Sequence, residues 1–237
     1  MNKLIVYTTI LFSTLLGGCQ DEEEFKLPTD VGFQVDINRN VSTNSRLNFR
    51  QGSIRLASFT FDGRREEGDD VYFEKEYEQG LHVPFDPVQA VEALRFQVPQ
   101  GNYTRLEVEL ELYDDLEDSG LVVEGTYLNS NGVLYPLRIE LGSSLAFEMP
   151  AKELSGNTQI VLRANTPANA IIRLDPVKWF ETIPLSYLDQ ALLQEVEQEE
   201  DSEIELPNYI LINEDTNEHI YAIILNRIEQ SSETIFQ

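Results

Sequence analysis

Apolar and polar residues alternate along most of the chain with the period of two that is typical of half-buried β-strands. In residues 106–112 Leu or Val alternates with Glu, and residues 133–141 alternate in the same way without a miss. Each segment is expected to bury one face and expose the other. Residues 54–61 shift their apolar phase between Leu56 and Phe59, which predicts a β-bulge or two short strands.

Turn signals separate these alternating segments. Asn131-Gly132 is the strongest hairpin signal, because Asn-Gly readily adopts the positive φ of a tight turn. Pro136 predicts that its strand lies at a sheet edge. About ten such short strands precede residue 175. Their spacing favours a sandwich or a barrel over a doubly wound sheet.

The pattern changes after Phe180. A helical stripe follows Pro184, a strand is predicted over residues 209–212, and a last helix is predicted from a capping-box-like start at Asp215 and Glu218. The stripe consists of Leu185, Leu188, Leu192 and Val196. We therefore expect residues 183–237 to form a helix–strand–helix extension packed on a β-domain of residues 31–182. Trp179 is expected to fill the core between the two.

Residues 1–18 have the parts of a secretory signal: basic Lys3, an apolar run to Leu16, and a small-residue exit at Gly17 and Gly18. The apolar run is too short for a membrane-spanning helix, which needs about 20 residues. The segment Leu16-Gly17-Gly18-Cys19 resembles the lipobox of bacterial lipoproteins. That resemblance implies cleavage between Gly18 and Cys19, a diacylglyceryl group on the Cys19 thiol, and a further acyl chain such as palmitate on the new amino terminus. Two or more acyl chains anchor a protein stably to a membrane.

The alternative for Cys19 is a buried or free cysteine after a chance apolar start. Residues 19–30 are expected to form an acidic tether. Its first part resembles the export tag of surface-exposed lipoproteins of Bacteroidota, and that tag would comprise Gln20, Asp21, Glu22, Glu23 and Glu24. We expect a lipid-anchored protein of the outer membrane that is exposed at the cell surface. The alternatives are a plain solvated spacer and attachment that faces the periplasm.

Charge and cysteine content exclude several classes of function. The chain has a net charge of −25, and removal of Lys3 with the signal leaves 16 basic against 42 acidic residues, a net charge of −26. Such a chain is repelled by nucleic acid and by anionic lipid surfaces. With Cys19 as the only cysteine and His82 and His219 as the only histidines, disulfides, thiolate zinc sites and His-rich centres are not expected. No cofactor is predicted.

Acidic residues raise the question of calcium. Asn213, Asp215 and Asn217 have the spacing that starts an EF-hand loop, but Glu218 and Ile224 stand where the loop needs Gly and a bidentate carboxylate. A second stretch, Asp115, Glu117 and Ser119 with Gly120, also fails, because it ends on Thr126. A looser site remains open as an alternative to solvated turn carboxylates, and its candidates are Asp69, Asp70, Asp114, Asp115 and Asp118. We predict no defined metal site.

A glycosidase needs two carboxylates on either side of a cleft, and in a chain with 42 acidic residues some pair always meets that requirement. Such a pair is therefore no specific evidence for glycosidase activity. We therefore predict no catalytic residues and a protein that is not an enzyme. Aromatic residues are candidates for a sugar-binding face, although aromatics at strand spacing belong more often to a core. These candidates are Tyr72, Tyr77, Tyr103, Tyr127, Tyr135, Trp179 and Phe180.

The segment Pro99-Gln100-Gly101-Asn102-Tyr103 between two alternating strands, the Asn131-Gly132 hairpin and a strand at Leu174-Asp175 resemble Bacteroidota lipoproteins of the DUF4382-like sort. The resemblance covers residues 30–180 and implies an antiparallel β-sandwich of the prealbumin or immunoglobulin type, without implying any active site. We expect an interaction or structural module with an unknown protein or glycan partner. Two alternatives are a glycan-binding accessory of a nutrient-uptake system and a fimbria-related subunit that accepts a donor strand.

Overall fold

A computed structural model describes residues 26–42, 44–85, 92–113, 119–142, 145–194 and 208–237. The predicted signal peptide, Cys19 and the acidic tag at residues 20–24 lie outside these residues. So do the candidate calcium ligands in residues 114–118 and Val196 of the predicted helical stripe. In the described part, no helix is long and apolar enough to cross a membrane.

The described residues form thirteen strands and three helices, and most of them are in strands. The strands are β1 (Pro28–Ile37), β2 (Leu47–Arg65), β3 (Val71–Pro84), β4 (Glu92–Pro99), β5 (Gly101–Leu112), β6 (Leu121–Leu128), β7 (Leu134–Leu141), β8 (Ala146–Glu153), β9 (Ile160–Leu162), β10 (Ala168–Leu174), β11 (Leu193–Gln194), β12 (Tyr209–Ile212) and β13 (Glu233–Phe236). The helices are α1 (Pro176–Trp179), α2 (Leu185–Asp189) and α3 (Glu218–Ser231). The prediction of a mainly β protein is confirmed.

The strands join into one curled sheet that contains both parallel and antiparallel pairs. Its main path runs β11-β12-β7-β6-β2-β5-β8-β13-β10-β1-β4, while β3 pairs with β2 and β9 pairs with β5. The sheet is mixed and half-barrel in shape, because β1 pairs with β10, β12 with β7 and β13 with β8 in parallel. The expectation of a purely antiparallel sheet is therefore wrong. Apolar alternation reports which face of a strand is buried, and it carries no information about the direction of the neighbouring strand.

Strand β2 is the spine of the fold, with β6 pairing along Leu47–Ile54 and β5 along Leu56–Arg65. Its register shifts between Leu56 and Ser58 against both β3 and β5, which confirms the predicted bulge. Arg55 lies between the segment of β2 that pairs with β6 and the segment that pairs with β5. Its N–H donates to Gly120 O, and its carbonyl accepts from the Tyr113 N–H. One long bent strand thus links two regions of the sheet.

The described chain enters at one end of this spine. The Leu27 carbonyl accepts from the Gln100 N–H at 2.8 Å, and the Glu66 N–H donates to Asn102 O at 2.9 Å, next to the end of β2. Arg50 lies fifteen residues before Arg65 on the same strand. At about 3.3 Å per residue, about 50 Å of strand separates these two positions. We call the region around Leu27 and Arg65 the entry end.

Aromatic side chains close the curl of the sheet between β3 and β4. Phe59 and Phe96 stack with ring centroids 4.6 Å apart, and Phe61 and Phe73 stack at 5.2 Å. Phe73 of β3 and Phe96 of β4 also lie with ring centroids 5.2 Å apart, although these two strands do not pair with each other. Trp179 is fully buried, as expected for a core residue at the start of the C-terminal extension.

The C-terminal extension differs from the prediction in three respects. Helix α2 has only five residues, and the chain then turns into β11, so that Leu192 is 66% exposed. Helix α3 begins after Asn217, which has φ +57° and makes no cap, so the start predicted at Asp215 is wrong. The side chain of Asn217 bonds instead to backbone groups of Leu192 and Leu211. Strand β13 was not predicted, and β12 spans Tyr209–Ile212 as predicted.

Strand β7 does not lie at a sheet edge, because β6 and β12 flank it. Pairing with β12 covers only Leu137–Ile139 and therefore begins one residue after Pro136. A proline disrupts a ladder only where its missing N–H is needed. The short partner strand thus accommodates Pro136 in an inner strand.

Candidate functional site

A concavity in the described part of the chain lies on the solvent-facing side of β2, β6, β7 and β12. We call it the polar groove, and its volume is about 780 Å³. Its lining residues are Arg50, Gln51, Glu124, Gly125, Thr126, Pro136, Leu137, Arg138, Glu140 and Tyr209. A second concavity of about 490 Å³ shares Gln51, Glu124 and Arg138 and extends the groove towards His82 and Pro84. The groove therefore crosses the strands from β12 to β3.

Strand alternation explains why these side chains face the groove. In β6 and β7 the apolar residues Val123, Leu137 and Ile139 are buried, so their neighbours in sequence point to the other side of the sheet. In the cross-strand register Glu124 lies opposite Arg138, which brings the two charges together. Cross-strand pairs of opposite charge stabilise a sheet.

Arg138 is at the centre of a network of hydrogen bonds on the groove floor. Its Nη1 donates to Glu124 Oε1 at 2.7 Å, and its Nε donates to Glu140 Oε1 at 2.5 Å. The second oxygens of the two carboxylates accept from Gln51 Nε2 at 2.7 Å and Asn213 Nδ2 at 3.4 Å. Burial lowers the pKa of Arg138, but the hydrogen bonds and charges of Glu140 and Glu124 outweigh it and raise that pKa. The floor is thus a preorganised array of planar polar groups.

Arg50 enters the groove from a β-bulge. Phe49 pairs with Gly125 and Gln51 pairs with Glu124, so Arg50 is the extra residue of β2. Its carbonyl accepts from Arg39 Nε at 2.8 Å, which fixes the backbone of the bulge. The Arg50 side chain is exposed, and within the described part of the chain its guanidinium has no hydrogen-bond or ion-pair partner. Bulges commonly re-aim a side chain next to a functional site.

Two glycines permit the close approach of β2 and β6 at this bulge. A Cβ on Gly125 would lie 2.3 Å from Asn48 O, and one on Gly52 would lie 2.0 Å from Val122 O. Both obstacles are backbone atoms, which cannot move without shifting a strand. These glycines therefore shape the groove wall that carries Arg50.

Most of the aromatic residues proposed for a sugar-binding face belong to the core instead. Tyr103, Tyr127 and Trp179 are fully buried and Phe180 is nearly so. Tyr77 and Tyr135 pack partly against the core, and Tyr72 is exposed on β3. The aromatic residue that lines the groove is Tyr209, which the sequence did not single out. It stands at an outward position of β12 next to the buried Ile210, and that alternation was the available signal.

A second polar surface, the acidic face, covers the outer side of β2, β3, β5 and β8. It carries Asp62, Glu74, Glu76, Glu107, Glu109, Glu111 and Glu148. Glu109 lies directly opposite Glu148, and a hydrogen bond with Glu107 together with its charge raises the pKa of Glu148. Arg105 pairs with both Glu107 and Asp62. Among the described residues, no three His, Cys, Asp or Glu side chains are grouped so as to hold a metal ion.

Of the carboxylates considered for a loose calcium site, Asp69 and Asp70 lie within the described residues. Asp69 and Asp70 lie at the entry end, where the Arg65 N–H donates to Asp70 Oδ1 and Arg65 Nε donates to Asp69 O. The chain leaves β5 at Tyr113, at the opposite end of that strand. Residues 114–118 follow Tyr113 and lie outside the described residues.

A missing-strand groove of the kind expected for a fimbria-related subunit is not seen between β8 and β10, because β13 fills that position. The unpaired edge of β3 carries Glu74, Lys75 and Glu76, and exposed charges of this kind discourage pairing with another strand.

Comparisons with family models, with curated proteins and with solved structures found no match to this chain.

Proposed function

We propose that this protein is a lipid-anchored, non-enzymatic binding module of the outer membrane whose binding surface is the polar groove. The observation that carries the proposal is the groove floor, on which the Arg138 guanidinium and the amides of Gln51 and Asn213 hold four carboxylate oxygens in place by hydrogen bonds. A floor of this kind needs no rearrangement before it contacts a ligand, which lowers the cost of binding. The volume of the polar groove falls within the range of about 300–1,000 Å³ that is typical of ligand sites.

The position of the groove agrees with a lipid anchor at Cys19. The described chain begins at Lys26 at the entry end, and about 50 Å of strand β2 separates that end from Arg50. A tether that leads from Cys19 to the entry end would attach the membrane at the end of β2 that is farther from Arg50. The acidic residues 20–24 would keep the domain clear of anionic head groups.

The anchor is tested by replacing Cys19 with Ala in cells that make the full chain. Membrane fractionation is expected to move the protein from the outer-membrane fraction to the soluble fraction. The unchanged chain, grown with a radiolabelled fatty acid, is expected to carry the label, and the variant is not. Retention of the Cys19→Ala protein in the membrane would contradict the anchor.

The same proposal has three further parts. The protein is exposed at the cell surface, it belongs to the DUF4382-like lipoproteins, and its curled sheet is related to their β-sandwich. They are supported by the residues quoted for the lipobox, the acidic tag and the turn segment at 99–103. Glycan capture is the alternative that the groove favours, because its lining combines planar polar groups with Tyr209.

A further inference from the structure

We propose that the polar groove binds a saccharide that carries a carboxylate group, and that Arg50 is the residue that contacts this carboxylate. The inference rests on the proposed binding function of the groove and names the chemical class of its ligand. Three features of the groove carry it: the charge of Arg50, the mixed donors and acceptors of the floor, and the placement of the groove on a sheet face.

Of the four charged side chains that line the groove, two arginines and two glutamates whose charges sum to zero, Arg50 is the one without a partner among the described residues. Arg138 is paired with Glu124 and Glu140, whereas the exposed guanidinium of Arg50 has no such partner in the part of the chain that the structure describes. A guanidinium presents several N–H donors in one plane, which matches the two oxygens of a carboxylate. The bulge and the Arg39 hydrogen bond hold its backbone in place.

The floor fits hydroxyl groups. Its side chains offer acceptors at Glu124 and Glu140 next to donors at Gln51 and Arg138. A hydroxyl both donates and accepts, so neighbouring hydroxyls of a sugar can bond to adjacent groups of opposite kind. Tyr209 and Pro136 add apolar surface at one end of the groove for the carbon skeleton of the ring.

An extended peptide fits this surface less well. The backbone N–H and C=O groups of β6 pair with β2 on one side and β7 on the other, so the groove floor offers side chains and no free backbone edge. Peptides that bind sheets in an extended form use such an edge. The net charge of −25 also disfavours ligands with many negative charges. An oligosaccharide whose one charged group is a carboxylate satisfies both conditions.

The test uses the full mature lipoprotein in detergent and two oligosaccharides that differ in one group. The first is a xylotetraose that bears one glucuronic acid, and the second is unsubstituted xylotetraose. Calorimetry and saturation-transfer NMR are expected to show binding of the first and at least tenfold weaker binding of the second. Loss of a charge-assisted hydrogen bond has this size.

Variants locate the contact. Arg50→Ala is expected to weaken binding of the acidic sugar at least tenfold, and Arg50→Lys to restore part of it, because Lys keeps the charge but not the planar fork. Arg64→Ala is the matched control: Arg64 is an exposed arginine at the entry end of the same strand, and its loss is expected to leave binding unchanged. Thermal unfolding of each variant checks that the fold is kept.

Equal binding of the two sugars, no binding of either, or full binding by Arg50→Ala would overturn the inference. An acidic hexapeptide is the third ligand. If it binds in an Arg50-dependent manner while the sugars do not, the saccharide class is wrong and the groove remains a binding site. That outcome is distinct from failure of the anchor, which the Cys19→Ala fractionation measures.

Discussion

Replacing Gly125 with Ala tests whether close approach of β2 and β6 shapes the groove. The added Cβ would lie 2.3 Å from Asn48 O and 3.0 Å from the Phe49 Cα, whereas ordinary contacts begin at 3.4 Å. The strands must therefore separate by about 1 Å at the bulge. Overpacking against backbone of this kind costs about 1–3 kcal/mol.

Such a loss is a large part of the total stability of a domain, which is about 5–15 kcal/mol. For a chain of this length it lowers the Tm by roughly 3–10 °C. Urea denaturation followed by circular dichroism gives the free energy of unfolding directly. The same shift moves the bulge that carries Arg50, so ligand binding in the groove is expected to weaken as well.

Gly142→Ala is the matched control. Among the described residues, a Cβ on Gly142 meets only Tyr221 Oη, at 3.8 Å, and Gly142 has no positive φ. This variant is expected to leave stability unchanged or to raise it by about 0.5 kcal/mol through a smaller loss of chain entropy. If Gly125→Ala is as stable as Gly142→Ala, the steric explanation of the bulge is refuted.

Three further substitutions test other parts of the structure. Glu148→Gln is expected to stabilise the protein at pH 7. Glu107 raises the folded-state pKa of Glu148, so the stability of the parent falls as the pH rises through that pKa. Urea denaturation should show a gain in the free energy of unfolding that shrinks at high salt. Asp189→Asn is expected to destabilise the protein at pH 7, and the difference from the parent is expected to shrink as the pH falls through the folded-state pKa of Asp189, which hydrogen bonds from Ser130 lower. Equal stability of the two proteins at pH 7 would refute this. Thr234→Val is expected to stabilise the protein by about 1 kcal/mol, because the Thr234 hydroxyl is fully buried without a hydrogen-bond partner among the described residues. A loss of stability in thermal unfolding would contradict this prediction.

The sequence was sufficient for strand positions and turns because these are local properties. The bulge between Leu56 and Ser58, the Asn131-Gly132 hairpin and strand β12 follow from alternation and turn residues. Strand β13 has four residues directly after a helix, and its short alternation gave no usable signal. Its partners β8 and β10 are distant in sequence, so its pairing depends on the tertiary fold.

The groove was missed for a related reason. Arg50, Glu124, Arg138 and Tyr209 are far apart in sequence, and each is an ordinary outward residue of its own strand. Only the register of β6 with β2 and β7 brings them together. The bulge that makes Arg50 the extra residue is itself a mismatch between two strands, and neither strand reveals it alone.

The proposal of a lipid-anchored module that presents its groove at the cell surface is tested most directly by labelling intact cells. Thr126 lines the groove, and Cys19 is the only cysteine of the chain, so Thr126→Cys introduces a single free thiol once Cys19 is lipidated. A membrane-impermeant maleimide is expected to label this variant on intact cells and to leave the parent protein unlabelled. Labelling of Thr126→Cys only after the outer membrane has been opened would contradict display of the groove at the surface.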